Sequence, residues 1–109
     1  MRFTPNRFRV EILLPLFYND DTEIEASKFD QTFDELAKKF KGCTALTPAQ
    51  GVWFEDAKKY KDINSGLYVV IPYTEESIKY FDSYKRVLKD RFKQIDIFVT
   101  YYPVKNIVL

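Results

Sequence analysis

Apolar and polar residues alternate along the first stretch of the chain: Phe8, Val10, Ile12, Leu14 and Leu16 share one parity, with Arg7, Arg9 and Glu11 between them. That period of two predicts a half-buried strand, and Pro15 limits how far it can pair on one side. Asn19-Asp20-Asp21 then predicts a turn, since these side chains bond readily to their own backbone. From Ala26 the period changes. Ala26, Phe29, Phe33, Leu36, Ala37 and Phe40 recur at three and four, which predicts an amphipathic helix, with Gly42 as its C-cap. A second helix is predicted behind a Thr74 cap, with Glu75 and Glu76 in its first turn and Lys89, Arg91 and Lys93 in its last. Ile78, Phe81, Leu88 and Phe92 form its apolar stripe.

Between the helices the pattern predicts strands at Thr44 to Phe54 and Leu67 to Tyr73, joined by a hairpin turn at Asp62 to Gly66. Pro48 and Gly51 predict a bulge or edge irregularity in the first of these. A last strand runs from Ile95 to Tyr102 and ends at Pro103, and the tail from Asn106 to Leu109 is apolar enough to dock.

The order is strand, helix, strand, written twice. Sliding the chain along itself lays Thr22 to Lys41 over Thr74 to Lys93, with identities at Thr22/Thr74, Glu23/Glu75, Phe29/Phe81, Asp30/Asp82, Leu36/Leu88, Phe40/Phe92 and Lys41/Lys93. The expected fold is therefore a ferredoxin-like βαββαβ sandwich over residues 1–109 as one domain: a four-stranded antiparallel sheet with both helices on one face. The opposite face is left open. With Ile12, Val69, Ile71 and Val99 turned to the helices, Tyr68, Val70, Phe98 and Tyr102 turn away, and they are the candidate oligomer interface. A second copy of the chain is the first candidate to cover that face, a small ligand the second, and stacked RNA bases the third.

Composition narrows the chemistry. Histidine is absent, which removes the commonest general base and most transition-metal sites, and no cofactor is implied. The net charge is +1, so no broad basic field marks a nucleic-acid binder; the basic residues of the second helix are interspersed with acids. The single Cys43 can form no internal disulfide and no membrane span is evident, so the expected location is the cytoplasm. Nineteen aromatic residues, ten Phe, eight Tyr and one Trp, exceed what a core of this size needs.

Ala49-Gln50-Gly51-Val52 resembles the phosphate loop of acylphosphatases, but it follows the first helix instead of the first strand, and Glu55 stands where the catalytic arginine would be. A wider resemblance runs through Leu14-Pro15-Leu16-Phe17-Tyr18-Asn19-Asp20, Lys28-Phe29-Asp30-Gln31-Thr32, Phe40-Lys41-Gly42-Cys43-Thr44, Gly51-Val52-Trp53, Tyr60-Lys61-Asp62, Leu88-Lys89-Asp90-Arg91-Phe92-Lys93-Gln94 and Thr100-Tyr101-Tyr102-Pro103. On these residues the chain resembles a group of small bacterial proteins of about this length with no established activity. The resemblance implies a free-standing domain and draws attention to Tyr18, Asn19, Asp20, Trp53, Tyr60 and Asp62, the candidate ligand site, and to Gln94. The expected function is a non-catalytic domain that forms homodimers through its aromatic sheet face or binds a small ligand there. The alternatives are a small cofactor-independent enzyme of the dimeric α+β-barrel type and a weak nucleic-acid-binding module.

Overall fold

The computed structural model describes residues 2–3, 7–46 and 48–108. Its elements are β1 (Arg2–Phe3), β2 (Arg7–Pro15), α1 (Ala26–Phe40), β3 (Thr44–Ala45), β4 (Ala49–Glu55), β5 (Lys58–Pro72), α2 (Glu75–Arg91), β6 (Phe98–Val104) and β7 (Ile107–Val108). The fold is α+β, with two helices on an antiparallel sheet. Five strands form that sheet, in the order β3-β5-β2-β6 with β4 also on β5, and β1 pairs β7 separately.

The strand count departs from the four expected, for a local reason. Thr44 pairs Tyr68 and Ala45 pairs Leu67, whereas Ala49 pairs Asn64. The β3–β4 side therefore advances four residues while β5 advances three, and the extra residue divides one predicted strand into two. Pro48, which has no N–H to give, lies in that interruption.

The hairpin turn is also displaced. It is Asp56-Ala57, both at positive φ (51° and 62°), as a two-residue loop of the primed kind requires. Asp62 to Gly66, expected as the turn, lies inside β5. At the other edge, β6 begins at Phe98 and runs through Pro103, which sits opposite Phe8. Proline is tolerated there because β6 is an edge strand, where one N–H has no ladder partner to lose. Pro15 behaves as its chemistry demands: the β2–β6 ladder stops at Leu13↔Phe98, two residues short of it, while the β2–β5 ladder continues to Pro15↔Asn64. Of the tail, Ile107–Val108 docks as β7; Leu109 lies outside the described residues.

Helix α1 starts at Ala26 as its period predicts, but Lys41 (φ 63°), not Gly42, takes the left-handed position at its end. Thr74 caps α2 by accepting a bond from the Ser77 N–H at 3.1 Å. One core joins the two layers: Val10, Ile12 and Leu14 of β2, Leu67, Val69 and Ile71 of β5, Leu36 of α1, and Phe81, Tyr84 and Leu88 of α2, with Phe92 and Ile97 beyond it. Leu36 and Leu88, the matched leucines of the sequence repeat, are both fully buried.

The helices are also joined by one polar clasp. Arg91 donates through Nη1 to the buried Thr32 hydroxyl at 2.8 Å and through Nη2 to Glu35 at 2.5 Å, and Thr32 in turn donates to the Lys28 carbonyl at 2.8 Å. Beside it, burial pushes the Tyr84 hydroxyl up to about 12.

Candidate functional site

Strand β5 is much longer than its partners, and the helices cover only its second half. The first half, Lys58 to Ile63, projects with β4 as a ribbon beyond the core. Facing it is the loop that leaves β2, held by backbone bonds from Leu16 to Ile63 (3.4 Å), Ile24 to Leu16 (3.0 Å) and Tyr18 to Thr22 (2.8 Å). Between ribbon and loop lies a half-open cleft of about 1340 Å³. Pro15 to Asn19, Asp21 and Gln94 line one side, and Gln50 to Trp53 with Lys58 to Ile63 line the other.

On the ribbon, Trp53 pairs Tyr60 across the ladder, and their rings stack at 5.4 Å between centroids with 12° between planes. Cross-strand aromatic pairs of this kind hold an exposed ribbon together. The Lys58 ammonium lies 5.3 Å from the centre of the Tyr60 ring. Two residues further along β5, Asp62 sits opposite Gly51, and a Cβ at Gly51 would come within 2.6 Å of the Asp62 Oδ1. The carboxylate thus leans over the neighbouring backbone, into the space that a side chain at position 51 would take. Trp53 remains 45 % exposed.

On the loop, the Tyr18 hydroxyl donates to Glu25 and accepts from Lys28, and the Lys28 and Lys93 ammoniums stand 4.9 and 5.2 Å from its ring centre. The Tyr18 bond holds the Glu25 carboxyl below its ordinary range, and the same hydroxyl raises Lys28. Asp20 serves the loop. It accepts from the Thr22 N–H at 3.0 Å and the Thr22 hydroxyl at 2.5 Å, which lowers its pKa.

The structure therefore brings Tyr18, Asn19, Trp53, Tyr60 and Asp62 to one cleft, and Asp20 is not among the residues that line it; Asp21 is. Gln94 joins from the end of α2. Lys58 and Gly51 belong to the cleft as well, and the sequence reading passed over them as site residues. The signal for Gly51 was present as a glycine in the middle of a strand pattern.

Further along β5, the open sheet face carries a second group of side chains. Arg9 lays its guanidinium 3.7 Å from the centre of the Tyr68 ring and bonds Glu11 at 2.8 Å, and Tyr102 donates to the same Glu11 oxygen at 2.9 Å. Donation to Glu11 raises the Tyr102 hydroxyl's pKa. Val70 is half-buried, and Phe98 is 55 % exposed. The expectation of an apolar face is thus met only at its margins; a charged and aromatic network occupies the centre. Arg9 and Glu11, read from the sequence as spacers, are its members.

Most basic residues of α2 meet acids: Lys79 with Glu75 at 3.3 Å, Arg86 with Asp82 at 3.7 Å, Lys85 with Asp96 at 3.0 Å and Arg91 with Glu35. Among the described residues no cluster of three or more His, Cys, Asp or Glu could hold a metal, and no helix is long and apolar enough to cross a membrane. Burial pushes the Cys43 thiol up to about 11.

No family model and no curated protein matches the chain. Among solved structures, it is similar to a phage SAM lyase in complex with S-methyl-5'-thioadenosine. The two share 14 % sequence identity, with a TM-score of 0.68 over 94 % of this chain and 84 % of that one. At that identity the likeness shows a shared fold.

Proposed function

We propose that this protein is a ferredoxin-like small-ligand-binding domain of the cytoplasm that takes an adenine nucleoside in the cleft between the β4–β5 ribbon and the Tyr18 loop. In this reading the divided β3–β4 edge is the second strand of a βαββαβ sandwich. The observation that carries the function is the stacked Trp53–Tyr60 pair on the cleft wall, with Asn19, Asp62 and Gln94 around it. A flat ring supplies stacking area, and a few polar groups fix its orientation. The fold's likeness to a protein held in complex with S-methyl-5'-thioadenosine supports a nucleoside thioether as the first ligand to try. The acid partners of the α2 basic residues favour this reading over nucleic-acid binding.

Calorimetric titration of S-methyl-5'-thioadenosine into the protein tests it. Saturable binding that Trp53→Ala weakens about tenfold or more is expected, because base stacking on an aromatic ring contributes about 1–3 kcal/mol. Absence of binding, or binding unchanged by Trp53→Ala, removes the reading. Chromatography of S-adenosylmethionine incubated with the protein separates binding from catalysis; steady release of the thioether would make the domain an enzyme.

A second reading concerns the open sheet face, where half-exposed Phe98 favours a homodimer. Light scattering at micromolar concentration should then give twice the 13.0 kDa chain mass, and Phe98→Glu should halve it. A monomer in the unsubstituted protein ends that reading.

A further inference from the structure

Lys58, Tyr60 and Asp62 occupy alternate positions of one strand, so a cation, an aromatic ring and a carboxylate follow one another along one face of the ribbon. A strand rises about 3.3 Å per residue, which separates Lys58 from Asp62 by roughly 13 Å. Both charges are unspent. Among the described residues the Asp62 carboxylate has neither a hydrogen bond nor an ion pair, and Lys58 has only the Tyr60 ring. Lys59 and Lys61 alternate to the other side of the strand, and Asp21 belongs to the facing loop. The Tyr60 ring has Trp53 against it and Lys58 beside it, which leaves the indole as the aromatic surface for a planar ligand.

An unpaired, half-buried carboxylate next to an exposed indole is the combination that recognises an organic cation: the carboxylate supplies charge and the ring supplies its negative face. A free ammonium at the other end of the row suits a carboxylate.

We infer that the cleft selects a nucleoside with a zwitterionic tail and a cationic centre, with Asp62 facing the cation and Lys58 the tail's carboxylate. The inference rests on the nucleoside reading above and names the ligand within it: a sulfonium nucleoside such as S-adenosylmethionine in preference to its neutral thioethers. Asp62 discriminates by charge. Gly51 serves it by leaving the space over which the carboxylate reaches.

Three probes titrated into the intact protein separate the parts. S-adenosylmethionine carries sulfonium and tail, S-adenosylhomocysteine carries the tail alone, and S-methyl-5'-thioadenosine carries neither. The sulfonium should bind at least about tenfold more tightly than the homocysteine analogue, as expected for a contact to a charged partner. Asp62→Asn should erase that preference, read as the ratio of the affinities for S-adenosylmethionine and S-adenosylhomocysteine, whatever it does to the affinity all three probes share. Lys58→Gln should weaken the two tailed probes alike and spare the third. Should either variant fold poorly by circular dichroism, the unsubstituted protein still decides, because the sulfonium preference must shrink as sodium chloride is raised. Equal affinity for the first two probes, or a preference that survives Asp62→Asn, overturns the inference and leaves the nucleoside reading standing. If S-methyl-5'-thioadenosine itself does not bind, the nucleoside reading fails and takes this one with it.

Discussion

The two halves of β5 are one continuous strand with opposite surroundings. From Leu67 to Ile71 the helix-facing residues are buried beneath α1 and α2, and from Lys58 to Ile63 the strand is paired with β4 and meets the rest of the molecule through the Leu16–Ile63 backbone bond to the loop across the cleft. Where helices cover the sheet, its side chains are aliphatic and tightly enclosed; where they do not, Lys, Tyr and Asp alternate, and Val52, Phe54 and Ile63 stay exposed. Burial fixes the covered half to apolar residues, whereas the uncovered half can carry charges and aromatic rings at little cost to folding. Stability and recognition thus divide along a single strand.

The sharpest way to break this division is to shorten a side chain on each side of it. Leu36→Ala, at a fully buried position against the covered half, should cost about 3 kcal/mol in urea unfolding, because a cavity is left where the methyl groups were. Phe54→Ala on the ribbon, 69 % exposed, should cost under about 1 kcal/mol. If the two losses were similar, the ribbon would belong to the core.

A smaller effect is expected from the clasp between the helices. Arg91→Met removes the partner of both Thr32 and Glu35 and should cost about 1–2 kcal/mol, part of which Glu35→Gln in the same chain should restore by relieving the stranded charge. A double-variant cycle measures that coupling.

On the ribbon the opposite outcome is expected. Gly51→Ala pushes on the Asp62 carboxylate, the end of a flexible side chain, so the change in unfolding free energy should stay within about 1 kcal/mol. Its effect should fall on ligand affinity instead. A large loss of stability there would show that Gly51 holds the backbone and not the carboxylate.

The smallest effect concerns acid. The folded-state pKa values of Asp20 and Glu25 lie below their ordinary 3.8 and 4.5 because Thr22 and Tyr18 bond the ionised forms. Folding therefore favours the deprotonated groups. The stabilisation they give is present above those ordinary values and disappears as pH falls through the lowered ones. Both groups lie at the surface, so the loss is a shallow slope in the urea midpoint below about pH 5, which Asp20→Asn should flatten further.

How much of this was readable from residues alone follows the same boundary. Both helices announced themselves through periods of three and four, since each buries a stripe, and the parity of Val10, Ile12, Val69, Ile71 and Val99 placed the core side of the sheet. The first half of β5 gave no such signal. A ribbon with no layer above it buries neither face, so Lys58 to Asn64 lacks the alternation that marks a strand, and its Asn-Ser-Gly end reads as a turn. The true turn, Asp56-Ala57, contains no glycine to mark it. At the cleft, Trp53, Tyr60 and Asp62 were legible as aromatic and acidic residues near a hairpin. The fate of Asp20 was not, because whether a loop carboxylate faces a cleft or its own backbone depends on torsions that composition does not encode.

The pairing of β1 with β7 joins residues from opposite extremes of the sequence, Arg2 with Val108 and Phe3 with Ile107. Such a contact closes the longest loop in the molecule, and its entropic cost cannot be met until the intervening strands have brought the two segments together. It is expected to form last on refolding and to open first. In hydrogen exchange, amides bonded across this pair should lose protection by local fraying long before those of β2 and β5, whose exchange awaits global unfolding.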